Sequence, residues 1–215
     1  MRIAPEGWPF AVTACVVWAL AGWGGIAFGA WWWLPFALWA PVALWVPWFF
    51  RNPTRDGPRG GHLVIAPADG TVVSVRDVDE ALFPGGRATR VSIFMNVFSV
   101  HVNRYPIDGR VRLRDYRPGR FLNATLDKAS EHNERMSLVL DTAHGPVLVR
   151  QIAGLVARRI VTDAAVGDAV RQGERLGLIR FGSRVDTFVR PGTHILVSEQ
   201  DRTRAGITPI AEWPS

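Results

Sequence analysis

A long stretch without charge near the N-terminus limits most strongly how this chain can fold. Residues 7–50 contain no Asp, Glu, Lys, Arg or His and hold nine of the ten tryptophans. A bilayer core of about 30 Å is crossed by roughly 20 helical residues, so this stretch is long enough for two spans and a tight turn. The cluster Trp31-Trp32-Trp33 would lie near that turn, at the interface that indole rings favour. We therefore predict an α-helical membrane hairpin in residues 1–50 rather than a cleaved signal peptide.

Arginines flank this stretch on both sides. Arg2 precedes it and Arg51, Arg55 and Arg59 follow it. The positive-inside rule then places both ends of the hairpin in the cytoplasm. We expect a cell (inner) membrane protein whose remaining domain lies on the cytoplasmic side. Cys15 is the single cysteine, so an intramolecular disulfide is impossible.

The rest of the chain, residues 51–215, has the pattern of a mainly β domain. Runs rich in β-branched residues, such as VIAPADGTVVSVRDV and SLVLDTAHGPVLVRQIAG, are separated by Gly, Pro and Asp turn signals. The stretch 123–136 is the one long polar run, and we expect a mobile loop there. The predicted fold is a barrel or sandwich with elements like those of a barrel-sandwich hybrid.

A weak internal repeat and the single lysine suggest an alternative function. Segments 165–179 and 197–211 share a pattern typical of biotinyl and lipoyl carrier domains, and Lys128 lies in the lipoyl-type triplet Asp-Lys-Ala. A carrier lysine needs a tight hairpin tip, whereas Lys128 precedes the polar run ASEHNERM. A plain surface lysine is favoured, but a membrane-anchored carrier or adaptor domain without catalysis stays open as an alternative.

The positive charge of the chain is carried by arginine. The formal net charge is +6, with Lys128 as the only lysine. Arg110, Arg112 and Arg114 alternate, so on a strand they would share one face. That face is either solvated or directed at anionic lipid headgroups. No aromatic platform or recognition helix accompanies these charges, so we expect no nucleic-acid partner.

Three residues could carry chemistry. They are Asp69 in APADGTV, His101 in FSVHVNRYPIDG, and Ser183 in LIRFGSRVDTFV. Taken singly, each has an ordinary structural explanation: a turn aspartate, a buried core histidine, and a bulge at Gly182-Ser183.

Taken together, these motifs resemble a known family. WFFRNP, APADGTV, FMNVFSVHVNRYPIDG, LDKASEHNERM and RFGSRVD are similar to segments of the phosphatidylserine decarboxylase proenzymes, in their short bacterial and archaeal form. The resemblance implies a lyase that acts in phospholipid biosynthesis and converts phosphatidylserine to phosphatidylethanolamine and CO₂. It also implies a zymogen that cleaves itself between Gly182 and Ser183, leaving a heterodimer of residues 1–182 (the β chain) and residues 183–215 (the α chain), which could oligomerise further.

The resemblance also implies a cofactor made from the chain. Decarboxylation of an amino acid needs an electron sink, and in this family a pyruvoyl group formed from Ser183 supplies it through a Schiff base with the substrate. No metal is expected. The same resemblance assigns Ser183 as the nucleophile, His101 as the base and later proton donor, and Asp69 as the group that orients His101.

One position departs from the pattern of the longer bacterial members. They carry a second histidine three residues after the first, where this chain has Arg104. His101 would then serve both steps or share them with another group, and the other histidines (His62, His132, His144 and His194) are each expected in surface or turn positions. Arg104 cannot act as a base, but it could bind the phosphate or carboxylate of the substrate.

The residues leave two further questions open. The first is whether the substrate is phosphatidylserine or archaetidylserine, since the chemistry at the serine headgroup would be the same for both lipids. A relative without activity, which keeps the fold as a membrane scaffold, is a third hypothesis beside the enzyme and the carrier domain.

Overall fold

The structure, a computed structural model, describes residues 2–119, 132–154, 159–180 and 183–213. The chain divides into two compact units, Met1–Pro53 and Thr54–Ser215.

The first unit is a pair of helices whose two ends meet. A short 3₁₀ helix, Pro5–Gly7, leads into α1 (Trp8–Phe28), and a second, Ala30–Trp32, leads into α2 (Trp33–Phe49). Strand β1 (Arg2–Ile3) pairs antiparallel with β2 (Arg51–Asn52), which brings the start and the end of the unit together. The predicted helical region at the N-terminus is thus confirmed.

The two helices pack closely. Trp39 Nε1 donates a hydrogen bond to the Ala14 carbonyl (3.0 Å), and a Cβ at Gly24 would collide with the ring of Trp32. Among the described residues, one helical stretch, Pro5–Phe28, is long and apolar enough to cross a membrane, with a mean hydropathy of 1.8. Helix α2 has 17 residues and two prolines, Pro41 and Pro47, in its interior, so a second membrane span stays a prediction.

The second unit consists of short strands. They are β3 (Leu63–Ile65), β4 (Gly70–Asp79), β5 (Arg87–Met95), β6 (Val102–Arg104), β7 (Gly109–Arg117), β8 (Arg135–Thr142), β9 (Gly145–Ala153), β10 (Ile160–Thr162), β11 (Ala169–Val170), β12 (Arg175–Ile179), β13 (Ser183–Val189), β14 (His194–Ile195), β15 (Arg202–Thr203) and β16 (Pro209–Glu212). The prediction of a mainly β domain is confirmed.

These strands form one large sheet and two small ones, all antiparallel. The large sheet has the order β11-β7-β8-β9-β13-β5-β4-β15 and curls into a half-barrel. The small sheets have the orders β10-β12-β6 and β14-β16-β3. Strand β13 therefore lies inside the large sheet, between β9 and β5, and its backbone is paired on both sides.

The weak sequence repeat has a counterpart in this topology. Each repeated segment supplies one edge strand of the large sheet, β11 or β15, and then the middle strand of a small sheet, β12 or β16. The two segments thus occupy equivalent places in the sheets.

Alternation along β13 separates two environments. Val185 and Val189 belong to the main core cluster, whereas Phe188 belongs to a smaller cluster with Phe83 and Leu148. Successive residues of a strand point to opposite faces, so Ser183 shares the main-core face with Val185.

Candidate active site

Ser183 begins strand β13 in a fully enclosed position. Its exposed fraction is 0%, and its neighbours across the sheet are Met95 of β5 and Ala153 of β9. The hydroxyl Oγ donates to the sulfur of Met95 at 3.4 Å. Gly182, the other half of the predicted cleavage site, lies outside the described residues, as does Lys128. Ser183 is therefore a buried hydroxyl in contact with a thioether.

His101 lies just before β6, and its backbone is bonded to the strand that precedes Ser183 in the chain. Its carbonyl accepts a hydrogen bond from the amide of Ile179 (3.4 Å), four residues before Ser183. The imidazole is 0% exposed, and its Nδ1 lies 3.0 Å from the carbonyl oxygen of Ser99. A carbonyl can only accept, so Nδ1 carries a proton, and in the neutral ring Nε2 is then the basic nitrogen.

The other four histidines have different surroundings. His62, His132 and His194 are exposed, and His144 is partly buried. The ring of His144 stacks on Trp213 at a centroid distance of 5.2 Å. His101 is the one fully buried histidine among the described residues. A buried position of this kind can hold a neutral, hydrogen-bonded imidazole in a fixed orientation.

Asp69 lies in the turn before β4 and is held by two strong contacts. Its Oδ2 accepts from Arg55 Nη2 at 2.7 Å, and its Oδ1 accepts from the backbone amide of Ala205 at 2.7 Å. The turn requires glycine at position 70, because a Cβ there would overlap the carbonyl oxygen of Phe94. The carboxylate thus has partners that the sequence did not predict, and its action on His101 stays a prediction.

Arg104 joins Asp69 in a cationic cluster at the end of β6. The backbone amide of Arg104 donates to the Pro67 carbonyl (2.9 Å), and its guanidinium donates to the Gly173 carbonyl (2.8 Å). Burial, followed by the charge of Arg55, lowers the pKa of Arg104, while Asp69 acts in the opposite direction. Arg59 and Arg175 also contribute positive charge here, so several guanidinium groups act on this part of the site.

Strand β6 connects the histidine to this cluster. Arg104 ends β6 and His101 directly precedes that strand, so about 10 Å of extended chain, at about 3.3 Å per residue, separates the two residues. The structure thus links the backbone of His101 to Ile179, four residues before Ser183, and it brings Arg104 near Asp69.

A buried chain of polar side chains next to Ser183 was not predicted from the sequence. Asn103 Nδ2 lies 3.5 Å from the Met95 sulfur, and Asn103 Oδ1 accepts from Gln151 Nε2 at 2.8 Å. Gln151 Oε1 in turn accepts from Thr162 Oγ1 at 2.9 Å. The alternation of residues along β5, β6 and β9 could have marked these side chains as inward-facing. It could not have shown which of them contact one another.

The described part of the predicted loop 123–136 is ordered structure rather than a loop. Residues 123–131 lie outside the described residues, but Arg135 and Met136 belong to β8. Asn133 is buried, and its Nδ2 donates to the carbonyl of Ala153 (2.8 Å), the residue that faces Ser183. The loop prediction was wrong for this part because buried pairing with β9 outweighs the polar composition.

A separate cavity of 360 Å³ lies on the other face of the large sheet. It contains Phe188, which points away from the Ser183 face. Its charged lining residues are Arg76, Asp79, Glu80, Arg90, Arg117, Arg135 and Arg150. Burial and the neighbouring charges of Arg150 and Arg117 lower the pKa of Arg135. This cavity is therefore not part of the arrangement around Ser183 and His101.

Comparison with known proteins agrees with the motifs. The family model described as phosphatidylserine decarboxylase matches residues 42–211. A phosphatidylserine decarboxylase proenzyme of Symbiobacterium thermophilum is 50% identical over 99% of this chain and 96% of its own length. Proenzymes of the same name from Nitrobacter winogradskyi and Burkholderia mallei are 46% and 44% identical over 98% and 99% of this chain, and over 84% and 95% of their own lengths. The chain therefore belongs to the phosphatidylserine decarboxylase family.

Proposed function

We propose that this protein is a self-processing, pyruvoyl-dependent phosphatidylserine decarboxylase that produces phosphatidylethanolamine and CO₂ in phospholipid biosynthesis. The observation that carries the proposal is the placement of Ser183. Its hydroxyl is fully buried at the start of a strand paired on both sides, and the carbonyl of His101 accepts a hydrogen bond from the amide of Ile179, four residues before Ser183. Family membership supplies the reaction class, since the relatives are named as decarboxylase proenzymes.

Self-cleavage starts with the Ser183 hydroxyl. Oγ attacks the carbonyl carbon of the preceding residue, and an ester replaces the peptide bond. A serine hydroxyl is a weak nucleophile near neutral pH and needs a base. His101 fits this role because its Nδ1 is held by the Ser99 carbonyl, which leaves Nε2 as the basic nitrogen. Asp69 is proposed to stabilise the imidazolium that forms.

The surroundings of Ser183 suit a pyruvoyl group. Met95 and Ala153, which face its side chain, are apolar and fully buried, so they can accommodate the methyl group that replaces the CH₂OH of serine. The pyruvoyl group supplies a carbonyl that condenses with the substrate amine and accepts the electrons released with CO₂. His101 is the proposed donor of the proton that returns to carbon.

Arg104 is proposed to bind an anionic group of the substrate. Its guanidinium lies in the cationic cluster with Arg55, which pairs with Asp69. Guanidinium groups bind phosphate and carboxylate oxygens through paired hydrogen bonds. The phosphate of the lipid headgroup and the serine carboxylate are therefore the groups that this cluster fits.

The helical unit is proposed to hold the enzyme at its lipid substrate. Both ends of the unit meet in the pairing of β1 with β2, which brings Arg2 and Arg51 together. By the positive-inside rule, that end faces the cytoplasm. The proposed location is the inner membrane, with the decarboxylase domain on the cytoplasmic side.

Denaturing electrophoresis and mass spectrometry test the proposal. The purified protein should run as two fragments, residues 1–182 and 183–215, and the smaller should begin with a pyruvoyl group. Ser183→Ala should stay intact and inactive. An intact wild-type chain that nevertheless releases CO₂ from phosphatidylserine would rule out self-processing. Parallel assays with archaetidylserine distinguish the two lipid backbones.

A further inference from the structure

Two buried side chains next to Ser183 have no assigned role in the reaction. Met95 and Asn103 are each 0% exposed. The sulfur of Met95 lies between two polar groups, with Ser183 Oγ at 3.4 Å on one side and Asn103 Nδ2 at 3.5 Å on the other. The nucleophile therefore contacts a thioether, which is only a weak hydrogen-bond acceptor.

The position of Met95 is fixed by a chain of amides. Gln151 donates to Asn103 and accepts from Thr162, so both amide groups have one defined orientation. Gln151 is 1% exposed. Buried polar groups that are satisfied in this way make a site rigid, and here the rigid end of the chain is the NH₂ group that meets the Met95 sulfur.

The ester that forms at Ser183 has two possible fates. In the productive one, a base removes the Cα proton and the Cβ–Oγ bond breaks, so that residue 182 leaves as a carboxylate. The dehydroalanine that remains tautomerises to an imine, and water then releases ammonia and leaves the ketone. In the unproductive one, water adds to the ester carbonyl and the acyl–oxygen bond breaks. Serine then stays at the new N-terminus with its amine and hydroxyl intact, and no cofactor forms.

Access of water to the ester decides between these fates. We propose that Met95, held by Asn103 and Gln151, is a positioning residue that excludes water from the Ser183 ester and so directs it to elimination; this inference rests on the proposed function. The thioether binds the hydroxyl too weakly to hold it back from attack. The same apolar surface then contacts the methyl group, because that methyl derives from Cβ of Ser183.

The share of small fragments that begin with serine rather than pyruvoyl tests this inference. Mass spectrometry distinguishes the two ends and does not depend on decarboxylase activity. Met95→Ala opens space beside the ester, and it should raise the ratio of serine to pyruvoyl ends at least about tenfold, which corresponds to about 1.4 kcal/mol between the two barriers. Asn103→Leu, which keeps the branched shape of the side chain but removes the amide, should raise the ratio in the same direction. Met95→Leu preserves an apolar wall and should keep the wild-type ratio.

Leu140→Ala is the matched control, since Leu140 is a fully buried residue of the same core cluster on β8. It should leave the ratio unchanged although it also creates a cavity. An equal rise in Leu140→Ala, or a rise in Met95→Leu as large as in Met95→Ala, would overturn the inference. So would a Met95→Ala chain that stays uncleaved while Leu140→Ala is processed, because Met95 would then act before the ester forms. An uncleaved wild-type chain would instead contradict the proposed function itself.

Discussion

His101 differs from the other histidines in burial, and this difference leads to a prediction. It is 0% exposed and holds the Ser99 carbonyl through Nδ1. A positioned general base contributes about 10²- to 10⁴-fold to a rate, so His101→Gln should slow self-cleavage by at least about 100-fold. A time course of cleavage in freshly synthesised protein measures this. His144→Gln is the control and should process normally, whereas wild-type cleavage in His101→Gln would refute the assignment.

Tyr105 gives a second prediction for a single residue. It is 3% exposed in the main core cluster, and among the described residues its hydroxyl has no hydrogen-bond partner. Burial, followed by the negative charges of Asp163, Asp168 and Glu174, raises the pKa of Tyr105 to about 12. The folded protein therefore keeps Tyr105 neutral at a pH where the unfolded chain is already ionised.

The sign of the stability effect follows from this pKa. The contribution of neutral Tyr105 is fully present below about pH 10, the ordinary pKa of tyrosine, and is lost as the pH rises towards 12. The chain has two tyrosines, so the Tyr116→Phe variant has Tyr105 as its single tyrosine. Tyrosinate absorbance of this variant should then titrate near pH 12 or at the onset of unfolding. A reversible midpoint near pH 10 in the folded protein would contradict the prediction.

The motifs of the chain singled out candidate residues, but they did not show which residues meet where distant strands pair. Ser183, His101 and Arg104 lie in motifs that can be quoted from the chain. Met95 was not singled out, because its contact with Ser183 joins residues 88 positions apart. Arg55, which pairs with Asp69, was interpreted as a charge that flanks the membrane helices. Nothing in the local sequence indicates that its guanidinium contacts the turn before β4.

At the scale of elements, an ion pair fastens the β4–β5 connection to the large sheet. Glu80 accepts two hydrogen bonds from Arg150 of β9, both at 2.8 Å. Phe83, three residues later, is 2% exposed in the cluster with Phe188 and Leu148. The connection therefore covers one face of the sheet through one charged and one apolar contact.

Glu80→Gln should destabilise the folded protein by about 3 kcal/mol, the low end of the cost of removing one partner from a buried ion pair. Burial alone would raise the pKa of Glu80, but the hydrogen bonds and charge of Arg150 lower it overall. The pair therefore stabilises the fold at neutral pH, and this contribution is lost as the pH falls from about 4.5, the ordinary value, through the folded pKa.

Thermal unfolding in detergent across this pH range measures the effect. The difference in melting temperature between wild type and Glu80→Gln should be largest near neutral pH and should shrink in acid. Asp79→Asn is the control, because the Asp79 side chain is 91% exposed and lies 4.0 Å from Arg87. Equal losses in both variants would show that the Arg150 pair is unimportant.

Strands were predictable where a run of β-branched residues is bounded by residues that favour turns. The β-branched runs predicted β4, β5, β8 and β9. The two segments of the weak repeat were recognised, but their places in the sheets were not predicted. The order of strands was not predictable, because β13 pairs with β5 and β9 across long stretches of chain. The start of β8 was also missed. The polar sequence HNER suggests an exposed segment, but Asn133 within it is buried and bonded to the Ala153 carbonyl.

At the scale of the whole molecule, the proposed site residues and the candidate membrane anchor belong to different units. Ser183, His101, Asp69 and Arg104 all belong to Thr54–Ser215, whereas the apolar helices belong to Met1–Pro53. The composition changes close to this division, since charge is absent from residues 7–50 and frequent afterwards.

Cleavage before Ser183 would leave a fragment that the fold retains. The last 33 residues, 183–215, provide β13 inside the large sheet, the edge strand β15, and two of the three strands of a small sheet, β14 and β16. All seven residues of β13 are buried, and their backbone groups pair with β5 and β9. Release would expose this strand and break pairing in two sheets, which costs free energy for each buried group left without a partner.

We therefore expect the two fragments to stay together after processing. A C-terminal affinity tag, carried by the small fragment, should capture residues 1–182 in equal amount in mild detergent, and gel filtration should give one peak that separates only in denaturant. Ser183→Ala, captured as one intact chain, gives the reference elution volume. Recovery of the small fragment alone without denaturant would show that the sheet does not hold the cleaved strand, and would contradict a stable heterodimer.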